Sequence, residues 1–168
     1  MDTTTVLLIV IIILLVIVIL ANIFNPAKNS INGKNISNNS DTQKLQLQAY
    51  ERLTLLVDRI ALPHLISRVN QSGTSAKEMQ LLLTQNIRQE FDYNITQQIY
   101  VSSDAWNAVK NLKEQNQLVI NQFANTLPPN ATGLDLNKLL LEYLMNNKKG
   151  SLHEVVSEVL SYEAKKLL

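Results

Sequence analysis

The chain has 168 residues, and its 15 Lys and Arg nearly balance 14 Asp and Glu, which gives a net charge of +1. The basic residues form no dense cluster, so the composition argues against a nucleic-acid-binding face, and no nucleic-acid partner is predicted. Cysteine is absent and histidine occurs only twice, so disulfides are excluded and neither a transition-metal site nor another cofactor is predicted.

The first predicted element is an uncharged apolar segment, VLLIVIIILLVIVILANIF, at 6–24. At about 1.5 Å rise per residue it reaches about 28 Å, close to the roughly 30 Å hydrocarbon thickness of a bilayer. A cleavable signal peptide has a basic start, a shorter apolar run and a small-residue cleavage site, whereas this chain begins MDTTT. We therefore predict an uncleaved N-terminal transmembrane helix, with residues 1–24 as a lipid-embedded anchor.

Basic residues beside the segment set its expected orientation. No Lys or Arg precedes it, whereas Lys28, Lys34 and Lys44 follow it. Since basic flanks resist translocation, we expect a single-pass protein with its N-terminus outside and its C-terminal domain in the cytoplasm. Three lysines give a small bias, so a domain on the periplasmic side is kept as the alternative.

Asn and Ser dominate the next segment, residues 25–43. It contains too few apolar side chains to offset the entropy lost on ordering, so it is predicted to be a flexible linker. Helical periodicity then dominates residues 44–168. Apolar residues from Leu45 to Ile60 recur at steps of three and four, and Pro63 must kink or divide this helix.

Local start signals define the next helices. Ser75 followed three residues later by Glu78 is a capping box, which predicts a helix over 76–92. The stretch after it has strand-like composition, but no partner strand is evident, so we predict continued helix up to Val101. Ser102 or Ser103 can cap the following helix.

The C-terminal part is predicted to hold two more helices. Pro128 ends the preceding helix, and Thr132 or Asp135 can begin the next. Ser151 and Glu154 can cap a last helix. The sequence thus predicts an all-α fold, with one transmembrane helix, a linker and a soluble domain of about five or six helices.

Catalytic motifs are missing from the sequence. The HEVVS string at 153–157 places Ser157 where a zinc-binding HExxH motif requires a second histidine, and His64 is expected to serve packing or hydrogen bonding. Glu90 and Asp92 point apart on a helix and are expected to be solvated. No catalytic, cofactor-binding or metal-binding residue is therefore predicted.

Possible interaction or specificity positions are few. Asn116 lies in an apolar helix face, where a buried amide can fix the register of helix pairing; an Asn that bonds locally is the alternative. Arginines can make ion pairs at an interface or lie on a solvated face. The candidate positions are Arg52, Arg88, Tyr100, Trp106 and Asn116.

Two strings, LQLQAYERLTLLVDRIALPHLISRV and MQLLLTQNIRQEFDYNITQQIYVSSDAWNAVKNLKEQ, resemble membrane-anchored proteins of the Bacteroidota without established activity. The likeness covers about residues 40 to 125. It implies a single N-terminal span and a location in the cell inner membrane, and it implies no catalytic residue. The residues that carry it are Gln48, Tyr50, Glu51, Arg52, Leu53, Arg88, Glu90, Phe91, Gln97, Gln98, Tyr100, Val101, Ser102 and Trp106.

These features favour a non-enzymatic scaffold or accessory subunit of a membrane protein complex. Its expected partners are the lipid bilayer and either another protein or further copies of itself. One alternative is an enzyme of unknown reaction with a polar site between helices; another is a periplasmic helical binding domain. The residues considered for the enzyme site are Arg88, Glu90, Tyr93, Tyr100 and Asp104.

Overall fold

A computed structural model describes residues 32–146 and 152–168, with side chains from Ser40 onward. The predicted anchor at 1–24 and the predicted cap Ser151 lie outside these residues. No helix within the described ranges combines the length and the apolar character that a bilayer crossing requires.

Every regular element of the described residues is helical, so the all-α prediction is confirmed for them. Residues 41–168 form one compact unit. The helices are α1 (Asn32–Ile60), α2 (Leu62–Val69), α3 (Ala76–Tyr93), a 3₁₀-helix (Ile95–Ile99), α4 (Ser103–Thr126), α5 (Gly133–Asn146) and α6 (Leu152–Lys165).

Helix α1 begins earlier than the sequence predicts. The predicted linker covers 25–43, but the helix already starts at Asn32, and only 25–31 lie outside the described residues. Asn and Ser cost well below about 1 kcal/mol each in a helix, and adding a turn to an existing helix avoids the cost of nucleation. The described part of the predicted linker, from Asn32 onward, is therefore helical in the structure.

The core lies where α1 meets the later helices. Helix α1 buries the predicted stripe from Ala49 to Ile60, while Leu45 is exposed. Pro63 divides the helical run as predicted, because α1 ends at Ile60 and the proline occupies the first turn of α2. The largest fully buried side chains are Leu53, Leu56, Ile60, Leu65, Met79, Leu83, Ile87, Leu112, Ile120, Leu136, Leu140 and Leu160.

Two polar contacts, one partly buried and one buried, attach α1 to α4. The hydroxyl of Tyr50 accepts the backbone N–H of Ser102, at 3.1 Å, just where α4 begins. The side-chain amide of Asn116 donates to the carbonyl oxygen of Ile60 at 2.7 Å. Ser102 also caps α4, since its hydroxyl accepts the N–H of Ala105 at 3.2 Å. The two contacts fix both the start and the middle of α4 against α1.

The segment after α3 departs from the predicted α-helix. Helix α3 ends at Tyr93. The side-chain amide of the next residue, Asn94, donates a hydrogen bond to the carbonyl oxygen of Glu90 at 2.9 Å. A 3₁₀-helix then covers Ile95–Ile99, and none of its residues is buried. Without a buried face, nothing stabilises a regular amphipathic helix here, so the predicted helical continuation takes the 3₁₀ form and ends at Ile99 rather than at Val101.

The loops before α3 and α5 are joined by an isolated antiparallel bridge. The N–H of Ala76 donates to the carbonyl of Ala131 at 2.9 Å, and the N–H of Gly133 donates to the carbonyl of Thr74 at 2.8 Å. This bridge holds the N-terminal ends of the two helices side by side. It also defines one end of the groove described next.

Candidate functional site

A surface groove runs between α2 and α5, and we call it the α2–α5 groove. It encloses a cavity of about 570 Å³. Ile66, Ser67 and Asn70 line the α2 side. The α5 side is lined by Leu134, Asn137, Lys138, Leu141, Glu142 and Met145.

Helix α5 carries apolar side chains on two faces. Leu136 and Leu140 are fully buried in the core, whereas Leu134 is 69% exposed and Met145 is 79% exposed. Leu134, Leu141 and Met145 follow each other at steps of seven and four residues, which places them on one face of the helix. We call these three residues the α5 stripe. The α5 stripe lies along the groove. Its three side chains are more exposed than Leu136 and Leu140 on the core face of the same helix.

The groove also contains a buried amide that is incompletely bonded. Asn137 is only 2% exposed, and its Nδ2 donates to the Oδ1 of Asn70 at 3.1 Å. Within the described residues its own Oδ1 has no hydrogen-bond partner. Rotating both amides by 180° would only reverse the contact and leave the nitrogen of Asn137 unpaired instead. Such a group costs about 1–3 kcal/mol, and here it is buried beneath the wall of the groove rather than exposed on its surface.

A second cavity continues the groove under the bridged loops. It measures about 370 Å³ and shares Asn70 and Leu134 with the first. Its other walls come from the loop at 71–74 and from Thr132. The two cavities therefore adjoin each other at Asn70 and Leu134.

A more polar groove lies between α1 and α3, and we call it the arginine groove. Its cavity is about 600 Å³, and Arg52, Arg59, Glu90 and Tyr93 are among its lining residues. Glu90 pairs with Arg59 at 2.5 Å and with Arg68 at 3.6 Å. The hydrogen bond and the charge of Glu90 raise the pKa of Arg59 above its ordinary value. The expectation of a solvated Glu90 is therefore wrong: its carboxylate connects three helices.

The five predicted interaction positions lie in different environments. Arg52 lies in the arginine groove, and Arg88 is exposed on α3. Tyr100 is exposed at the end of the 3₁₀-helix. Trp106 is partly buried against Phe91, with ring centroids 5.1 Å apart. Asn116 is buried, and the bond to Ile60 described above holds two helices of the same chain together.

The residues considered for an enzyme site come together only in part. Glu90 and Tyr93 both line the arginine groove, but Arg88, Tyr100 and Asp104 are not among its lining residues. Glu90 is occupied by its two arginines. A general acid or base must be within hydrogen-bonding reach of a substrate. These five side chains do not all line one cavity from which a single substrate could be reached.

Sequence reasoning missed the proximity of the two histidines. The rings of His64 and His153 are 6.3 Å apart, and Nδ1 of His64 lies 2.9 Å from a carboxylate oxygen of Asp58. Within the part of the chain that the structure describes, no three His, Asp or Glu residues are grouped to hold a metal ion.

Sequence reasoning also missed the α5 stripe. The signal was present in the sequence, because Leu134, Leu141 and Met145 have helical spacing beside the buried Leu136 and Leu140. Only the packing of α5 shows which of the two apolar faces is left at the surface.

A family model described as "Family of unknown function (DUF7935)" matches residues 1–167. No curated protein and no solved structure matches the chain. The family match agrees with the resemblance to proteins without an established activity, while the bacterial group and the membrane anchoring stay predictions.

Proposed function

We propose that this chain, which belongs to the DUF7935 family of unknown function, is a non-enzymatic scaffold held at the cell inner membrane by its N-terminus. Its helical domain acts through protein–protein contacts, and the α2–α5 groove is its binding surface. The anchor and the groove are supported by separate observations, so each is argued and tested by itself.

The anchor is supported by the sequence of residues 6–24. The segment has no charged residue and the length of a bilayer crossing. A charged side chain in the middle of such a helix would cost about 2.5–3.5 kcal/mol for insertion. The proposed orientation, with the domain in the cytoplasm, follows from the three lysines after the segment.

The single observation that carries the binding role is the exposed α5 stripe beside a groove. Isolated exposed apolar side chains are ordinary on a protein surface, but a row of them along a groove is typical of a docking site. Leu134 and Met145 are among the most exposed large apolar residues of the described chain. Covering each such side chain stabilises a complex by about 1.5–3 kcal/mol, relative to leaving it in water.

The experiment for the anchor is fractionation of native membranes. The chain should stay with the bilayer after an alkaline carbonate wash and dissolve only in detergent. A variant with Ile12→Arg and Leu15→Arg in the apolar segment should appear in the soluble fraction. Recovery of the unaltered chain in the soluble fraction would contradict the anchor. Protease treatment of intact spheroplasts then assigns the side, since a cytoplasmic domain is protected and a periplasmic one is cleaved.

The experiment for the binding surface is a mass measurement of the full chain in mild detergent. The chain should be part of a species heavier than one chain with its micelle. A Leu134→Gln/Met145→Gln variant should lose this species, because two apolar anchors of the surface are replaced by polar side chains. The matched control is Leu118→Gln, an exposed leucine on α4 that lines neither groove. A monomer without any companion would overturn the binding role.

A further inference from the structure

We propose that the arginine groove between α1 and α3 binds a phosphate monoester group, either of a soluble compound or of a lipid headgroup. The proposed function assigns protein binding to the α2–α5 groove, so this inference concerns a different surface and does not depend on it. It follows from the excess of positive charge around one cavity, from the unequal exposure of the charged groups and from an arginine without a partner.

The charged side chains at the arginine groove do not balance. Arg52, Arg59 and Glu90 line its cavity of about 600 Å³, and Arg68 contacts the same Glu90 from α2. Three guanidinium groups thus face a single carboxylate, which leaves an excess of two positive charges. Because the whole chain has a net charge of only +1, this excess is a local property of the groove.

The positive groups are also more exposed than the negative one. The side chain of Glu90 is 17% exposed, whereas those of Arg59 and Arg68 are 42% and 32% exposed. A ligand in the groove therefore has access to more guanidinium surface than carboxylate surface. The field that it meets is that of the arginines, and it favours an anion.

Glu90 fixes the orientation of Arg59 without using all of its donors. Nε of Arg59 donates to Oε1 of Glu90 at 2.7 Å, and Nη2 lies 2.5 Å from the same oxygen. A guanidinium group has five N–H donors in a rigid fork, so donors remain for a ligand. Since the carboxylate already holds the fork in place, little further side-chain entropy is lost when a ligand binds.

Arg52 is the arginine of this groove that has no partner. Its side chain is exposed, and among the described residues it makes no ion pair and no hydrogen bond. It precedes Arg59 by seven residues, which places both on one face of α1 about 10 Å apart. The two guanidinium groups can therefore approach one ligand from opposite ends of the cavity.

The other walls of the groove do not oppose an anion. Among the described residues, Glu90 is the one acidic side chain that lines the cavity. Asp58, on another face of α1, is paired with His64 at 2.9 Å. Tyr93 and Gln89 also line the cavity, and a phenol and a side-chain amide can both donate to an anion. The cavity has the size of ordinary small-ligand sites.

A phosphate monoester matches the groove in charge and in geometry. It carries about −1.5 to −2 charges at pH 7, which offsets the excess of two positive charges, and it offers three acceptor oxygens. Arginine forks bind such groups through paired hydrogen bonds. A carboxylate or a phosphate diester carries one negative charge and would leave one positive charge unmatched.

Calorimetric titration of the full chain in mild detergent tests the site, with glycerol 3-phosphate as the probe at constant ionic strength. Arg52→Gln should weaken binding about tenfold, because it removes charge-assisted hydrogen bonds to the phosphate. Since the side chain of Arg52 has no partner within the described chain, its replacement should leave the fold intact.

The matched control is Arg88→Gln, which removes the same charge from an exposed position of α3 that does not line the cavity. It should leave binding unchanged. No binding of glycerol 3-phosphate to the natural chain, or equal weakening by both substitutions, would overturn the proposed site.

A comparison of ligands tests the match of charge. Dimethyl phosphate is a diester with a single negative charge, so it should bind about tenfold more weakly than glycerol 3-phosphate. Equal affinities for the two compounds would contradict recognition of a monoester.

Bilayer composition distinguishes the two sources of the phosphate group. The full chain is placed in phosphatidylcholine nanodiscs that contain either phosphatidic acid, a phosphate monoester, or phosphatidylglycerol, an anionic diester that controls for surface charge. If a lipid headgroup occupies the groove, phosphatidic acid should lower the affinity for glycerol 3-phosphate well beyond the effect of phosphatidylglycerol. Equal effects of both lipids would assign the groove to a soluble phosphate compound. None of these measurements involves the α5 stripe, so failure of this proposal leaves the proposed function standing, and the reverse is also true.

Discussion

Ser75 and Thr132 lie opposite each other across the antiparallel bridge, and each one caps the helix that follows it. Ser75 exchanges hydrogen bonds with Glu78, and Thr132 exchanges them with Asp135 in the same pattern. The starts of α3 and α5 are thus built alike and joined through their backbones. This junction sets the position of α5, and with it the position of the α5 stripe.

The first prediction concerns the space at the bridge. In Gly133→Ala, the added Cβ would lie 2.5 Å from Oγ1 of Thr74 and 3.1 Å from Cβ of Met79. Because the junction has no room for it, we expect the free energy of unfolding to fall by about 1–3 kcal/mol. Urea unfolding of the full chain in mild detergent, followed by the fluorescence of the single Trp106, measures the change.

The double variant Thr74→Ala/Gly133→Ala provides the control. It removes Oγ1 of Thr74, the nearest of the atoms that the added Cβ would meet, so the two substitutions together should cost less than the sum of their separate effects. Strict additivity would show that the contact with Thr74 is not the cause.

The second prediction concerns acid. A backbone and a side-chain hydrogen bond from Ser75 lower the pKa of Glu78, and the side-chain and backbone hydrogen bonds from Thr132 lower the pKa of Asp135. Since both folded-state pKa values lie below the ordinary ones of 4.5 and 3.8, the stabilisation is fully present above those values. It is lost as the pH falls through the lowered pKa values.

A Glu78→Gln/Asp135→Asn variant should therefore lose less stability on acidification than the natural chain. Unfolding midpoints in urea at neutral and at acidic pH measure the difference. Ser75→Ala/Thr132→Ala should act in the same direction, because it removes the hydroxyls that donate to the carboxylates. An unchanged acid sensitivity in the carboxylate variant would contradict the assignment.

The third prediction concerns the buried amide between α1 and α4. Asn116→Ala removes the donor to the carbonyl of Ile60 and leaves that oxygen buried without its partner. The expected loss in the free energy of unfolding is about 1–3 kcal/mol. Asn111→Ala on the exposed side of α4 is the control, and it should change stability by less than about 0.5 kcal/mol. Equal effects of both substitutions would show that the contact with Ile60 is unimportant.

The fourth prediction concerns the ion pairs of Glu90. Glu90→Gln removes the charge that faces Arg59 and Arg68, and we expect a loss of about 1 kcal/mol at low ionic strength. The loss should shrink as salt is added, because ions screen charges at the surface. Glu114→Gln, which removes only an exposed contact to Lys110, should have almost no effect. A loss that is independent of salt would point to packing rather than to charge.

Much of the helical framework follows from local sequence patterns. The capping box of Ser75 and Glu78 and the break at Pro63 lie where the sequence predicts them. These signals act over three or four residues, within one turn of backbone, so they can be recognised without knowledge of the fold. For two helices the sequence allowed either of two residues to form the N-terminal cap. In the structure Ser102, rather than Ser103, caps α4, and Thr132, rather than Asp135, caps α5.

The candidate site could not be predicted in the same way. Leu134 and Leu136 are equally apolar and almost adjacent, yet one is exposed on the groove and the other is buried in the core. Likewise, the carboxylate of Glu90 could be solvated or paired until the position of Arg59, 31 residues earlier, was known.

The sequence by itself determined that the domain is helical, where most of its helices begin and end, and that an uncharged apolar segment precedes it. Only the tertiary structure decided which apolar face of α5 remains at the surface, which amide Asn137 meets and which carbonyl Asn116 binds. The physical reason is the range of the interactions. Helix periodicity and capping depend on neighbours a few residues away, whereas burial and pairing depend on residues that the folded chain brings together from distant positions.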